Sequence, residues 1–131
     1  MAQAAAALST RELPTAIVHD EVFREHDPGL GHPESPLRYL AVMNALSEDE
    51  FQGKLRRISA QAASEEDLAQ CHLPGYIEIV KRDIRGGAAV LSTGDTAVCA
   101  ASWEAALHAA GGACLAAVSY THLTLPTNRE V

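Results

Sequence analysis

IVHDEVFREHDPGLGHPESPLRYLAVMNAL, residues 17–46, changes character twice. Thr15, just before it, through His19 is short and β-branched and follows Pro14, which predicts a buried first strand over 15–19. Residues 20–36 then hold three prolines and two glycines, which predicts a long loop without regular structure. Ser35-Pro36 supplies a hydroxyl cap followed by proline at the first helical position, where its missing N–H costs nothing. Tyr39, Val42, Met43 and Leu46 recur at helical spacing, so the sequence predicts a helix running towards Phe51 with these four on its inner face.

The same pattern repeats downstream. Gly53 ends the helix, and Leu55–Ala60 reads as a second strand. Ser64 followed by Glu65, Glu66 and Asp67 opens a short helix, because a hydroxyl cap and an acidic first turn suit the free amides there. His72-Leu73-Pro74-Gly75 breaks it. A third helix is predicted from Tyr76 to Arg85, with Tyr76, Ile79, Val80 and Ile84 turned inward and Gly86-Gly87 as its stop. After the turn-rich LSTGDT, Ser102 is placed to cap a last helix through Trp103, Ala106, Leu107, Ala110 and Cys114, whose Gly111 and Gly112 permit close packing. Strand, loop, helix, strand and further helices indicate an α/β fold with a parallel sheet, seen here with too few strands to be complete.

Composition narrows the function. The chain has 131 residues, 47% hydrophobic and 21% charged, with a net charge of -7, as expected for one soluble globular domain. An acidic chain without a basic stripe does not favour nucleic acid or an anionic membrane as partner. No apolar run reaches the roughly 20 residues of a membrane span, and MAQAAAALSTRELP (residues 1–14), lacking a basic start, reads as a flexible lead-in rather than a secretory signal. Cys71, Cys99 and Cys114 have neither disulfide-framework nor zinc-ribbon spacing; they are expected to be small buried apolar residues in a reducing cytoplasm.

Polar residues concentrate in HDPGLGHPESPLR, residues 26–38. His26, Asp27, His32, Glu34 and Arg38 would lie beyond the carboxyl end of the first strand, where parallel sheets bind ligands. Their types permit metal ligation by His26 and His32, or acid–base work by a histidine paired with a carboxylate such as Asp27. The plainer alternative pairs Glu34 with Arg38 across the helix start and turns Asp27 and the histidines onto the loop backbone. Other candidates are weaker: His108 reads as packed or at the surface, Trp103 as core, and the glycine pairs make no dinucleotide fingerprint.

His26, Pro28, Gly29, Gly31, His32, Pro33, Glu34, Pro36 and Arg38 form H-x-P-G-x-G-H-P-E-x-P-x-R. This resembles the N-terminal signature of the histone deacetylase superfamily, of the bacterial type related to acetoin-utilisation proteins and acetylpolyamine amidohydrolases. His72 with Tyr76, Gly94-Asp95-Thr96, Ser102 and the A-A-L-x-A-A-G-G helix follow in the family's order. Ser35, Leu37 and Tyr39 stand where the family usually has arginine, glutamate and leucine, differences expected to affect loop-surface detail more than the assignment. The resemblance implies the N-terminal part of an arginase/deacetylase-type fold and zinc-dependent hydrolysis of an acetylated amine, such as acetyl-lysine or an acetylpolyamine. It places His26, Asp27, Pro28, Gly29, His32, Glu34, Arg38 and Asp95 at the rim of a substrate channel. The family's paired histidines, D-x-H ligands and oxyanion donor belong downstream; the sequence has no H-H, D-x-H or H-x-D pair, so it offers no zinc ligands and no catalytic residues. Two rivals remain: a non-catalytic module binding a metal or a partner through the His26–Glu34 loop, and a complete small enzyme using a His26–Asp27 dyad.

Residues 118–131, VSYTHLTLPTNREV, break abruptly from the alanine-rich segment before them. VSYTHLTLPT can be read back as GTC TCT TAT ACA CAT CTG ACG CTG CCG ACG, which resembles read-through into a transposase-type sequencing adapter. An index then accounts for Asn128-Arg129-Glu130, and GTG TAG gives Val131 and a stop. The deacetylase-like portion is accordingly expected to span 15–117 and to end at Ala117, with a non-native tail over 118–131 whose Tyr120 and His122 are not candidate ligands. The competing reading is a natural, β-prone terminus.

Overall fold

Strands β1 (Thr15–His19) and β2 (Leu55–Ser59) pair in parallel, Thr15 opposite Leu55 through His19 opposite Ser59. The structure is a computed structural model that describes residues 15–124, with side chains as far as Tyr120; the lead-in 1–14 and residues 125–131 lie outside it. The Ala60 amide donates to the His19 carbonyl at 3.0 Å and carries the ladder one step further. A parallel pair needs a crossover, and helix α1 (Pro36–Ala45) provides it. The chain is therefore α/β with a parallel sheet. β1 is not buried as expected: Thr15 and Ala16 are exposed and the rest is half-buried, because only one neighbouring strand flanks it among the described residues.

Local chemistry sets the element ends. The loop after β1 is not wholly irregular, since Glu21–Arg24 forms a 3-10 turn whose first amides are met by Asp20. α1 starts as expected, with Ser35 accepting from the Leu37 amide and Pro36 at its first position. It stops at Ala45, short of Phe51. The Ser47 hydroxyl donates to the Met43 carbonyl at 2.7 Å, and Arg57 donates to the Leu46 carbonyl and the Ser47 hydroxyl. These bonds take over the carbonyl end of the helix, and Asp49–Phe51 becomes a separate 3-10 turn. Along α1, Tyr39, Met43 and Leu46 are half-buried, but Val42 is 56% exposed.

Helix α2 (Glu65–Ala69) carries a full capping box between Ser64 and Asp67. Helix α3 (Pro74–Arg85) begins two residues before its predicted start, since Pro74 occupies the first turn rather than breaking the chain. Its buried residues are Ile77 and Ile84, flanked by half-buried Val80, whereas Tyr76 is 38% exposed. The i, i+3, i+7 face is thus Ile77–Val80–Ile84, one residue out of phase with Tyr76. Gly87 leaves the helix with φ of 76°, a region costly for any residue with a side chain.

Asp83 shapes the next turn. Its carboxylate accepts from the Ser92 hydroxyl at 2.6 Å and the Ser92 amide at 2.8 Å, and Arg82 also donates to it. Backbone bonds from Leu91 to Thr96 and from Val98 to Ala89 close the hairpin and drop Leu91 and Val98 onto Ile84. Burying each such side chain is worth about 1.5–3 kcal/mol. Trp103 packs half-buried against this cluster.

Helix α4 (Ser102–Thr124) runs straight through the composition break at Val118, so residues 118–124 are helical and not strand-like. As far as Tyr120 its buried positions are Ser102, Ala105 and Gly112; Ala106 and Cys114 of the expected face are exposed. Chain 60–63 determines this phase. The Ala63 amide donates to the Leu107 carbonyl at 2.9 Å, a backbone bond between loop and helix. A Cβ on Gly111 would collide with the Gln61 carbonyl oxygen and lie 2.6 Å from the Ala63 nitrogen. Gly112 faces Val18 of β1, where a Cβ would lie 3.1 Å from Cγ1. The close packing expected of this glycine pair is present. Cys71 and Cys114 are exposed and Cys99 half-buried, contrary to the expectation of three buried thiols: Cys71 sits in the turn after α2, and Cys114 on the outward face of α4.

Two outcomes are expected. Gly111→Ala destabilises the fold by about 1–3 kcal/mol or more, because the opposing atoms are backbone and cannot yield, whereas Gly94→Ala, with open space around it, stays within about 0.5 kcal/mol in denaturant unfolding. Asp83 is held at about 2 by Ser92 and then Arg82. Its stabilising effect is complete above the unfolded carboxylate value of about 3.9 and is lost as pH falls through about 2. Asp83→Asn therefore flattens the fall of stability between pH 5 and 2; an unchanged slope contradicts the assignment.

Candidate functional site: a loop-rimmed apolar groove

The loop between β1 and α1 follows the carboxyl end of β1, and some of its order is internal. Asp27 Oδ1 accepts from the Gly29 amide at 2.9 Å, the Gly29 carbonyl from the His32 amide at 3.2 Å, and His32 Nδ1 from the Glu34 amide at 3.1 Å. These are the backbone contacts expected of Asp27 and His32. His26 does otherwise. Its Nδ1 lies 2.7 Å from the Ser102 hydroxyl and its Nε2 3.8 Å from Glu34 Oε2. The anticipated Glu34–Arg38 ion pair is absent among the described residues, and a His26–Asp27 dyad does not form because Asp27 is engaged with Gly29.

Three bonds tie the loop to the start of α4. Besides His26 to Ser102, the Asp27 amide donates to Cys99 Sγ and the Cys99 thiol donates to the Glu25 carbonyl, each at 3.4 Å. Ser102, expected as the cap of α4, instead turns its hydroxyl back to accept from the Cys99 amide at 2.8 Å. Burial pushes the Cys99 thiol up, but the Ser102 hydroxyl 3.5 Å away and the amides of Asp27, Ala101 and Ser102 outweigh it and bring the thiol below its ordinary value.

Beneath the loop lies a groove of about 590 Å³ between α1, α3, the 91–98 hairpin and α4. His26, Glu34 and Arg38 stand in its wall with Ser102. Phe23, Tyr39, Tyr76 and Trp103 supply aromatic surface, Phe23 and Tyr39 edge to face with centroids 6.0 Å apart. Asp27, Pro28, Gly29 and His32 lie outside this wall, as does Asp95, whose neighbour Thr96 lines it. Tyr39 is therefore not a surface detail. Burial, then Glu21 and Asp20, push its hydroxyl upward, and that hydroxyl is buried without a partner among the described residues. Behind Trp103, Lys81 bonds Glu65 at 2.7 Å and Glu78 at 2.9 Å while lying 5.9 Å from the ring centroid. His108 bonds the Glu104 carbonyl on its own helix.

The sequence missed Ser102 and Cys99 as members of the site, although Ser102 was visible as a helix start. Their role depends on contacts with residues 76 and 72 positions away. Among the described residues no three His, Cys, Asp or Glu side chains gather closely enough to hold a metal ion, which leaves the metal-binding form of the module reading without a ligand set. No described helix is long and apolar enough to cross a membrane. Cys99→Ala is expected to speed amide exchange at Asp27 by up to about tenfold, the worth of one net hydrogen bond, and to leave Gly29 unchanged because its amide is met by Asp27 itself.

Comparison with known proteins gives one family. The family described as the histone deacetylase domain matches residues 32–124, from the second half of the loop through the whole of α4. A search of curated proteins finds no match. The matched span contains the crossover helix, β2, and most of the wall of the groove, and the α/β arrangement with parallel strands is that of an incomplete deacetylase-type fold. The chain belongs to the histone deacetylase family.

Proposed function

We propose that this chain is the N-terminal portion, residues 15–117, of a zinc-dependent deacetylase that hydrolyses N-acetylated amines such as acetyl-lysine or an acetylpolyamine, and that the chain as written is inactive. The observation that carries this reading is the family match laid over an apolar groove with a polar mouth. Such a groove suits an acylated alkyl chain, whose methylenes it removes from water while a few polar groups fix orientation. In this reading His26, Glu34 and Arg38 form the mouth that the chain passes, and Asp27, Pro28, Gly29, His32 and Asp95 lie farther out on the rim.

In enzymes of this chemistry zinc polarises the amide carbonyl and activates a water. The described residues do not fit that ion, since no cluster of three donors is present, and no step through it is assigned to them. What they contribute is the mouth and the apolar wall. The absence of H-H and D-x-H pairs from the whole sequence is the reason the chain is read as inactive.

We further infer that residues 118–131 are encoded by a sequencing adapter. The helical continuation to Thr124 does not bear on origin, because a helix already formed adds further residues at little cost. Reading the DNA across the Ala117 codon tests this: the adapter codons given above are expected, with a genomic frame that continues to a paired-histidine and a D-x-H motif. Any other codons over 118–127 end the adapter reading. The purified 131-residue chain is expected to release no acetate from acetyl-lysine peptides or acetylpolyamines, while the product of the extended frame does so in a zinc-dependent manner. Hydrolysis by the short chain contradicts the proposal.

A further inference from the structure

We propose that Ser102 is the positioning residue of His26: it fixes the imidazole in one tautomer, with Nε2–H directed at Glu34 across the mouth of the groove. The argument is an accounting of protons. The Ser102 oxygen already accepts from the Cys99 amide at 2.8 Å, and it has one proton to give. Two acceptors are within reach, His26 Nδ1 at 2.7 Å and Cys99 Sγ at 3.5 Å.

If the proton went to sulfur, Nδ1–H would have to donate to Ser102, and the bare Nε2 lone pair would face the Glu34 carboxylate at 3.8 Å, lone pair against anion. If it goes to Nδ1, every group within hydrogen-bonding distance is matched, and Nε2–H faces the Glu34 carboxylate at 3.8 Å. Cys99 N–H donates to Ser102, Ser102 O–H to His26 Nδ1, and Nε2–H points to Glu34, while the sulfur accepts from the Asp27 amide and donates to the Glu25 carbonyl. The 2.7 Å separation lies at the short limit for an N–H donor and in the middle of the range for an O–H donor. Hydrogen bonds aligned head to tail also polarise one another, which strengthens the imidazole N–H as a donor.

The arrangement differs from that of a hydrolytic triad. The hydroxyl belongs to a residue only 7% exposed, and its oxygen is already engaged as an acceptor, so Ser102 orients and does not attack. The consequence is a mouth that presents one N–H donor and one carboxylate in fixed relation. Its meaning as a substrate mouth rests on the deacetylase reading, but the tautomer does not.

The test is long-range ¹H–¹⁵N correlation spectroscopy on the 131-residue chain with ¹⁵N-labelled histidine, at a pH where the imidazoles are neutral and with no substrate present. His26 Nδ1 is expected to resonate as an unprotonated nitrogen and Nε2 as a protonated one. Ser102→Ala is expected to move both towards the average of the two tautomers with far-UV circular dichroism unchanged, and Ser102→Thr to restore the wild-type pattern. A protonated Nδ1 in the wild-type chain overturns the proposal, and that spectrum decides even if Ser102→Ala fails to fold. So does an Ala variant that folds and keeps the wild-type tautomer. Because no acetylated compound enters the experiment, its failure is distinct from failure of the deacetylase reading.

Discussion

The contact between α4 and chain 60–63 is closer than side chains allow. Leu107 gives its carbonyl to the Ala63 amide, Gly111 lies under the Gln61 carbonyl, and Gly112 lies against Val18 of β1. Backbone meets backbone there, and two adjacent glycines in a helix are tolerated despite a propensity cost of about 1 kcal/mol each. This seat fixes both the axial position and the rotation of α4. With the helix so placed, Ser102 and Cys99 at its start come under the loop after β1, and Trp103 and Ala105 close the groove against α3 and the hairpin. The bonds within the loop are short-range and its long-range bonds run to the start of α4, so its position relative to the sheet is inherited from α4.

The organisation accounts for how function could be divided in a protein of this family. The described residues form a wall and a mouth: an apolar aromatic groove, a histidine and a carboxylate at its edge, and an arginine on the first turn of α1. They hold no metal-ligand cluster. Under the proposed function this part of the chain would supply binding surface and orientation rather than the metal chemistry.

Much of the architecture was legible because it rests on local rules. Ser35-Pro36, the Ser64–Asp67 box and the Gly86-Gly87 stop all act within a few residues, and each does in the structure what its sequence predicts. Parallel pairing followed from the alternation of strands and helices. What failed were inferences about facing. Ile77 took the place of Tyr76 because α3 turns its Val80–Ile84 face onto Leu91 and Val98; Ala106 and Cys114 turned outward because the Gly111 contact, not the apolar stripe, sets the rotation of α4. The site was half visible. His26 and Glu34 stood out by type, but their partnership with each other and with Ser102 arises from tertiary placement, which no spacing rule encodes.

The central claim is that the seat of α4 on chain 60–63 positions the rim loop. Native-state hydrogen exchange on a folded Gly111→Ala variant tests it most directly, because the Ala63 amide reports the seat and the Asp27 amide reports the loop anchor. Faster exchange at both, with Gly29 unchanged, is the predicted result. Faster exchange at Ala63 with Asp27 as protected as in the wild-type chain would contradict it, since the loop would then hold its place without the helix that is said to place it.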